Sequence, residues 1–290
     1  MPPRVIVLGG GPGGVACARR LGELGAAATL VDDGGAAAAR GSLAQQRLAA
    51  VLAADDVPAA ERFARFRAAR DAALGEAAAT CRARLTDAGV TLVEGRGEIA
   101  ALAPEPTVRV GDRTLAADHL VVAVGARPRR PSWCGPGTPV VTADAFYLSD
   151  DPLPERLVVL GGDDVAVGLA GLARALGIAV TLVFTEHEPL GGFDDDLRAH
   201  VGAALLGAGV RLRPHTRVGA VVAGTQRHAV ETDAGVIAAD RVVLAGAAPP
   251  SPDAARLGLD RFGVPVTPEG AVYVDTRYAA RVPGLFAIGD

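Results

Sequence analysis

Lysine is absent from the 290-residue chain, so all 29 of its basic residues are arginine. That absence excludes a Schiff-base lysine and a P-loop lysine. Codon bias in an Ala/Gly/Arg-rich genome is its simplest cause. Cysteine is scarce: Cys17, Cys81 and Cys134 lie far apart with no C-x-x-C spacing. A disulfide framework and a cysteine zinc site are therefore not expected, and a reducing compartment fits. No run of basic residues occurs and the formal net charge is -4, which leaves out the electrostatic footprint of a nucleic-acid partner. Long apolar runs are missing at the start, where only Val5 to Leu8 precede a glycine run. This is too short for a signal-peptide core or a membrane span, and a cytoplasmic location is the expectation. His119, His187, His200, His215 and His228 show no H-x-x-x-H spacing, so no metal site is expected. Cys134, beside Trp133 in a Gly/Pro-rich loop, has no charged helper nearby in sequence and is not read as a reactive thiol.

What is present begins with size: half the chain is apolar, enough for two α/β units with separate cores. Arg4 to Val31 aligns without a gap on Arg156 to Val183. Each copy reads as a short buried strand, a glycine turn, an Ala/Leu helix ended by Gly25 or Gly177, and a second apolar strand near Ala28 or Val180. A βαβ unit thus occurs twice, and such units build parallel sheets with a ligand at the carboxyl ends of the strands. The expected fold class is α/β, with two Rossmann-like dinucleotide-binding domains, the second inserted in the first. Ala59 to Ala88 spaces Phe63, Phe66, Leu74, Cys81 and Leu85 as the inner stripe of a long amphipathic helix, with Arg62, Arg65, Arg82 and Arg84 on a solvated face. Strand-like stretches follow at Thr91 to Glu94 and Thr107 to Val110, and Gly111-Asp112 suggests a hairpin turn. Asp194-Asp195-Asp196 reads as a helix start. Breaks at Pro128 to Pro139 and Pro249 to Pro252 are the candidate crossings between domains.

In the first copy, Gly9, Gly11 and Gly14 form G-x-G-x-x-G, with Pro12 and Gly13 between, directly after a strand and before a helix. Gly9 permits the tight turn, Gly11 keeps side chains away from a pyrophosphate, and Gly14 lets the helix approach the strand. The phosphates then face the N-H groups of the helix N-terminus. Asp32 closes the second strand where a carboxylate accepts hydrogen bonds from the adenosine ribose. The second copy replaces Gly11 by Asp163, Pro12 by Asp164, Gly14 by Ala166 and Asp32 by Phe184. A carboxylate about 4 Å from a phosphate charge costs roughly 4 kcal/mol at an effective dielectric near 20. Asp163 or Asp164 is expected to cap the helix in place of a ligand phosphate. The alternative is a distorted turn that binds a nucleotide in a shifted pose.

From Gly9 to Asp290 the segment order resembles the pyridine nucleotide-disulfide oxidoreductases, flavoproteins that include lipoamide dehydrogenase, glutathione reductase and mercuric reductase. Asp118 to Pro128 resembles the family strand ending in A-T-G beside the flavin, here Ala123-Val124-Gly125. Val274-Asp275-Thr276 through Gly284 to Asp290 resembles its second FAD motif, and the resemblance gives Asp290 the ribityl contact. It implies FAD as cofactor, with residues 1–150 and 251–290 as the FAD-binding domain. Residues 151–250 would then form an NAD(P)-binding-like domain with a degenerate glycine motif, at which NAD(P)H binding is not expected.

The departures bear on activity. The family redox segment G-G-T-C-x-x-x-x-C-I-P-S-K lies over Gly34 to Gln46, where both cysteines and the lysine become Ala37, Ser42 and Gln46. The tyrosine that covers the flavin in many relatives is Asp164, and the glutamate paired with that lysine is Gly168. The family G-R-x-P-N segment reads Ala247 to Ser251, without its arginine. Relatives continue past the position of Asp290 into a dimerisation domain, so either the chain is a fragment or it operates without that part. A homodimer is expected only for a longer chain. Three functions follow: an FAD-dependent oxidoreductase passing electrons to a small non-thiol acceptor such as a quinone, an FAD-binding scaffold with little turnover and no NAD(P)H binding, or, third, a classical disulfide reductase. Gly89 to Glu98 resembles the corresponding segment of relatives that lack the cysteine pair, which favours the enzyme.

Overall fold

The computed structural model describes residues 1–33, 40–52, 59–127, 130–245 and 251–289. In chain order the elements begin β1 (Arg4–Leu8), α1 (Pro12–Glu23), β2 (Ala27–Asp32), α2 (Arg40–Leu52), α3 (Ala59–Asp87) and β3 (Thr91–Glu94). There follow β4 (Gly97–Ala101), β5 (Thr107–Val110), β6 (Arg113–Ala116), β7 (His119–Val122), β8 (Ala126–Arg127), β9 (Val141–Thr142) and α4 (Ala143–Leu148). The second copy of the repeat forms β10 (Arg156–Leu160), α5 (Asp164–Ala175) and β11 (Ala179–Val183), followed by α6 (Asp195–Gly207) and β12 (Arg211–Arg213). The chain closes with β13 (Val218–Val222), β14 (His228–Thr232), β15 (Gly235–Ala239), β16 (Arg241–Leu244), β17 (Ser251–Pro252) and β18 (Leu285–Ala287).

The chain divides into two compact units. One comprises Met1–Arg40, Leu74–Arg127 and Ser251–Asp290, the other Gly41–Ala73 and Pro128–Pro250. Relative to the sequence boundary at 150, residues 41–73 and 128–150 group with the second unit. The reason is packing: Ala44, Leu48 and Phe66 share a core with Leu169, Ala170 and Leu182, and β9 pairs in parallel with β16.

The first unit carries a five-stranded sheet in the order β18-β7-β1-β2-β3, and the second one in the order β12-β11-β10-β16-β9. All pairings within both are parallel. Read from one edge, the two orders are the same, since β3 answers to β12, β7 to β16 and β18 to β9. Each unit also has a three-stranded antiparallel meander, β4-β5-β6 or β13-β14-β15, inserted between equivalent strands. The repeat therefore extends well beyond the aligned segment. Val5 to Leu8 and Leu157 to Leu160 are all buried, as strands covered on both faces must be, which is why each reads as a continuous apolar run. The β5-β6 turn at Gly111-Asp112 has Val110 opposite Arg113 and Gly111 at φ 57, the II′ geometry that needs glycine first.

Helix α3 covers the expected stretch, and Phe66 and Leu85 are buried on it. Its charge pattern hid one feature. Arg70 is 3% exposed and donates to Asp71 Oδ1 (2.8 Å), Asp150 Oδ1 (2.7 Å) and the carbonyls of Tyr147 (3.2 Å) and Ser149 (3.1 Å). Burial alone would lower the Arg70 pKa, but these carboxylates hold it raised. The guanidinium thus ties α3 to the loop end at 147–150, where Arg67 also donates to the Asp150 carbonyl at 3.1 Å.

Candidate functional site

The glycine turn after β1 is built by backbone contacts that exclude side chains. Gly9 has φ 107 and donates its N-H to the Val31 carbonyl at 2.9 Å, joining the ends of β1 and β2. A Cβ on Gly9 would meet the Ala123 carbonyl oxygen at 2.2 Å, and one on Gly14 would meet the Gly9 carbonyl oxygen at 1.9 Å. Gly14 is thus the close approach of helix to strand that the fingerprint requires. Gly11 is the N-cap of α1, with φ -64 and no side-chain cap hydrogen bond, and Pro12 sits at the first helical position. The first-turn N-H groups are left for a ligand.

Asp32 is 7% exposed, and its Oδ1 accepts the Gly10 N-H at 3.0 Å. A Cβ on Gly10 would lie 2.4 Å from the Asp32 carboxyl carbon. Gly10 is therefore a site residue that sequence reasoning missed. Its signal was its place in the middle of three consecutive glycines, Gly9-Gly10-Gly11. Gly9, Gly10, Gly11, Pro12, Asp32 and Gly125 line one cleft of about 330 Å³ at the carboxyl ends of the strands. Arg96 and Arg256, also unforeseen, line the same cleft as Asp32 and Asp33 and bring positive charge to it. Gly125 has φ 69, a left-handed position that favours glycine. Gly13, in the first turn of α1, lies 4.0 Å by its Cβ direction from Ile288. Ile288 in turn donates to the Val122 carbonyl at 2.9 Å, so the segment leading to Asp290 runs beside the glycine turn. Asp290 itself, Ala37 and Ala247 to Pro250 lie outside the described residues, as does the Ser42 side chain.

The second copy repeats this turn and fills it. Gly161 has φ 133 and donates to the Val183 carbonyl at 2.9 Å, matching Gly9 and Val31. Asp163 occupies the position of Gly11, is the N-cap of α5, and accepts the Ala166 N-H on Oδ1 at 2.9 Å. The equivalent amide in the first copy belongs to Gly14 and has no such partner. Burial pushes the Asp163 carboxyl above its ordinary range, against the lowering effect of the Ala166 N-H, and the neighbouring Asp164 charge adds to the rise. A phosphate brought here would add a further negative charge. Ala166 is fully buried, and Phe184 is 3% exposed in the core where Asp32 stands in the first copy.

A cleft of about 380 Å³ nevertheless remains at this end of the second sheet, lined by Trp133, Gly162, Asp163, Phe184, Glu186 and Arg217 among others. The Glu186 carboxylate comes within 3.6 Å of the Cβ direction of Gly162. An acid therefore reaches the floor of this cleft from two residues further along than the position compared in the repeat.

On α5, Gly168 faces α2, where a Cβ would meet the Gln45 amide nitrogen at 2.5 Å. The residue opposite Gly168 is Gln45, not Gln46, which is exposed. An uncharged contact occupies the place where the family resemblance implies an ion pair. Cys134 is 5% exposed, and its Sγ takes Arg130 Nη1 at 3.6 Å, so a charged neighbour exists where none was read from the sequence. Burial raises the Cys17 and Cys81 thiols above their ordinary values, which disfavours the reactive thiolate. Asp194 caps α6 as expected, accepting from Asp196 and Leu197. Among the described residues no helix is long and apolar enough to cross a membrane.

Comparison with known proteins gives the setting for this geometry. A family model described as pyridine nucleotide-disulphide oxidoreductase matches residues 3–290. The glutathione reductase of Burkholderia cepacia is 31% identical over 231 residues, covering 77% of this chain and 48% of the relative. That of Nostoc sp. is 29% identical over 226 residues, covering 71% and 46%. The chain spans about half the length of these curated relatives. Among solved structures, the HOCl-induced flavoprotein disulfide reductase of Escherichia coli superposes with a TM-score of 0.87 at 20% identity, over 99% of this chain and 66% of that one. At that identity the likeness is one of fold, and it is the FAD/NAD-binding Rossmann-like fold.

Proposed function

Because the chain belongs to the pyridine nucleotide-disulphide oxidoreductase family, we propose that its first unit holds FAD and that the bound flavin passes electrons to a small non-thiol acceptor such as a quinone. Gly11, Pro12 and Gly13 at the uncapped N-terminus of α1 would hold the pyrophosphate, with Gly9 and Gly14 keeping strand and helix close. Asp32 would hold the adenosine ribose, its Oδ1 accepting the Gly10 N-H and its other oxygen left to accept from the ribose hydroxyls. Gly125 lines the same cleft, and the family resemblance gives Asp290 the ribityl contact. The observation that carries this reading is the contrast between two copies of one turn: the helix N-terminus is left without a side-chain cap at Gly11 and is capped by Asp163 in the other.

When bound, FAD supplies the redox chemistry, and the chain's residues bind and orient it. The named relatives are disulfide reductases, but Ala37 and Ser42 supply no thiol to form a mixed disulfide or a charge-transfer thiolate. The neutral Gln45–Gly168 contact also fits an environment that no longer supports hydride delivery from a nicotinamide. The second reading, an FAD-holding scaffold without turnover, is favoured by the Asp163 cap, which takes away the donor site without supplying another.

One experiment separates these readings. The FAD-loaded protein is reduced chemically without oxygen, and the visible flavin band is followed after adding a quinone, glutathione disulfide or an oxidised dithiol. Rapid return of the band with quinone alone is the expected result. Return with neither class of acceptor supports the scaffold. Reoxidation by a disulfide in a variant lacking Cys17, Cys81 and Cys134 contradicts the non-thiol assignment.

A further inference from the structure

Two histidines that are far apart in sequence meet on the second unit. His187, after β11, and His215, after β12, place Nδ1 and Nε2 3.3 Å apart, with ring centroids 5.4 Å apart and both residues exposed. Their loops are tied by backbone hydrogen bonds. The His215 N-H donates to the Glu186 carbonyl at 3.2 Å, and the Thr216 N-H donates to the Phe184 carbonyl at 3.0 Å. His215 has φ 51, a left-handed conformation uncommon for a residue with a side chain. The backbone thus holds the imidazoles together, rather than leaving the encounter to two mobile side chains.

We propose that His187 Nδ1 and His215 Nε2 form a binding site for an imidazole-preferring divalent transition metal of the copper, nickel and zinc class. A metal bonded to both nitrogens at about 2.0–2.1 Å with the nitrogens 3.3 Å apart subtends roughly 107°, close to the tetrahedral angle. The two nitrogens now face each other as a hydrogen-bonding pair, so both exposed rings must rotate to aim their lone pairs at that point. Glu186 and Glu188 flank His187 in sequence, while Arg213 and Arg217 lie two residues either side of His215, so the imidazoles and not the local charge define the site. Among the described residues no group of three His, Cys, Asp or Glu side chains could hold a metal, so water completes the coordination sphere. This site does not depend on the FAD reading, because its residues all lie in the other unit.

Copper(II) is the probe, since it binds imidazole most tightly in the divalent series. The parent protein is titrated and its paramagnetic resonance spectrum recorded, beside His187→Ala, His215→Ala and the double variant. Each single change is expected to weaken binding at least tenfold, and the double change is expected to remove the two-nitrogen hyperfine pattern. Far-ultraviolet circular dichroism and the thermal transition of the same samples report that the unit carrying the variants remains folded. Equal copper affinity and an unchanged spectrum in the double variant would overturn the site and leave only an imidazole hydrogen bond. Magnesium, a hard cation that prefers oxygen ligands, should not compete.

Discussion

Replacing Gly11 by valine is expected to lower FAD affinity at least about a hundredfold, equivalent to roughly 2.7 kcal/mol, while leaving the thermal transition of the protein nearly unchanged. The two effects separate because Gly11 has φ -64, a backbone angle open to any residue. A valine there folds without strain, but its branched side chain projects over the helix N-terminus and fills the space a pyrophosphate needs. Gly14 behaves differently, because its Cβ would sit 1.9 Å from the Gly9 carbonyl oxygen and must displace the backbone. Gly14→Val is thus a poor probe of binding. Equilibrium FAD titration monitored by flavin fluorescence checks the Gly11 variant, and parent-like affinity would show that the phosphates lie elsewhere.

The second large effect concerns the closed turn. The parent is expected to bind NADH no tighter than about millimolar, near -4 kcal/mol. The triple variant Asp163→Gly, Asp164→Tyr, Phe184→Glu is expected to gain at least tenfold. Asp163→Gly removes the carboxylate that now bonds the Ala166 N-H at 2.9 Å, and glycine at an N-cap costs only a few tenths of a kcal/mol. Phe184→Glu supplies an acid at the position of Asp32 but takes a 3% exposed aromatic from the core, a change that costs stability on the order of a few kcal/mol. If the triple variant does not fold, Asp163→Gly with Asp164→Tyr keeps the core and should retain part of the gain, since Glu186 already reaches the floor of the cleft. Calorimetry on parent and variants reads both. No gain in either folded variant would mean that the cap is not what closes the cleft.

Much of this was legible in the residues, and the reasons are local. Val5 to Leu8 and Leu157 to Leu160 announce strands buried on both faces, and the glycines between strand and helix mark backbone positions that exclude a side chain. The Asp163 cap followed from comparing the two copies. What stayed hidden depends on partners distant in the chain. The Asp32–Gly10 contact is visible only once β1 and β2 lie side by side, and the equivalence of the two meanders leaves no trace in sequence because their packing needs only period-two alternation. Arg70 reads as one more solvated arginine until Tyr147, Ser149 and Asp150 are brought to it. The family spacing pointed to Gln46, whereas the helix face presents Gln45 to Gly168. His187 and His215 fail every short metal-spacing pattern because a strand pairing, β11 with β12, brings them together.

We infer that one of the two equivalent turns is open to a dinucleotide and that the other is closed by its own carboxylate. The most direct measurement is a pair of calorimetric titrations on the unmodified chain, one with FAD and one with NADH. The account predicts a single FAD site per chain and no NADH isotherm below millimolar concentration. Two dinucleotide sites per chain, or micromolar NADH binding to the FAD-loaded protein, would contradict it.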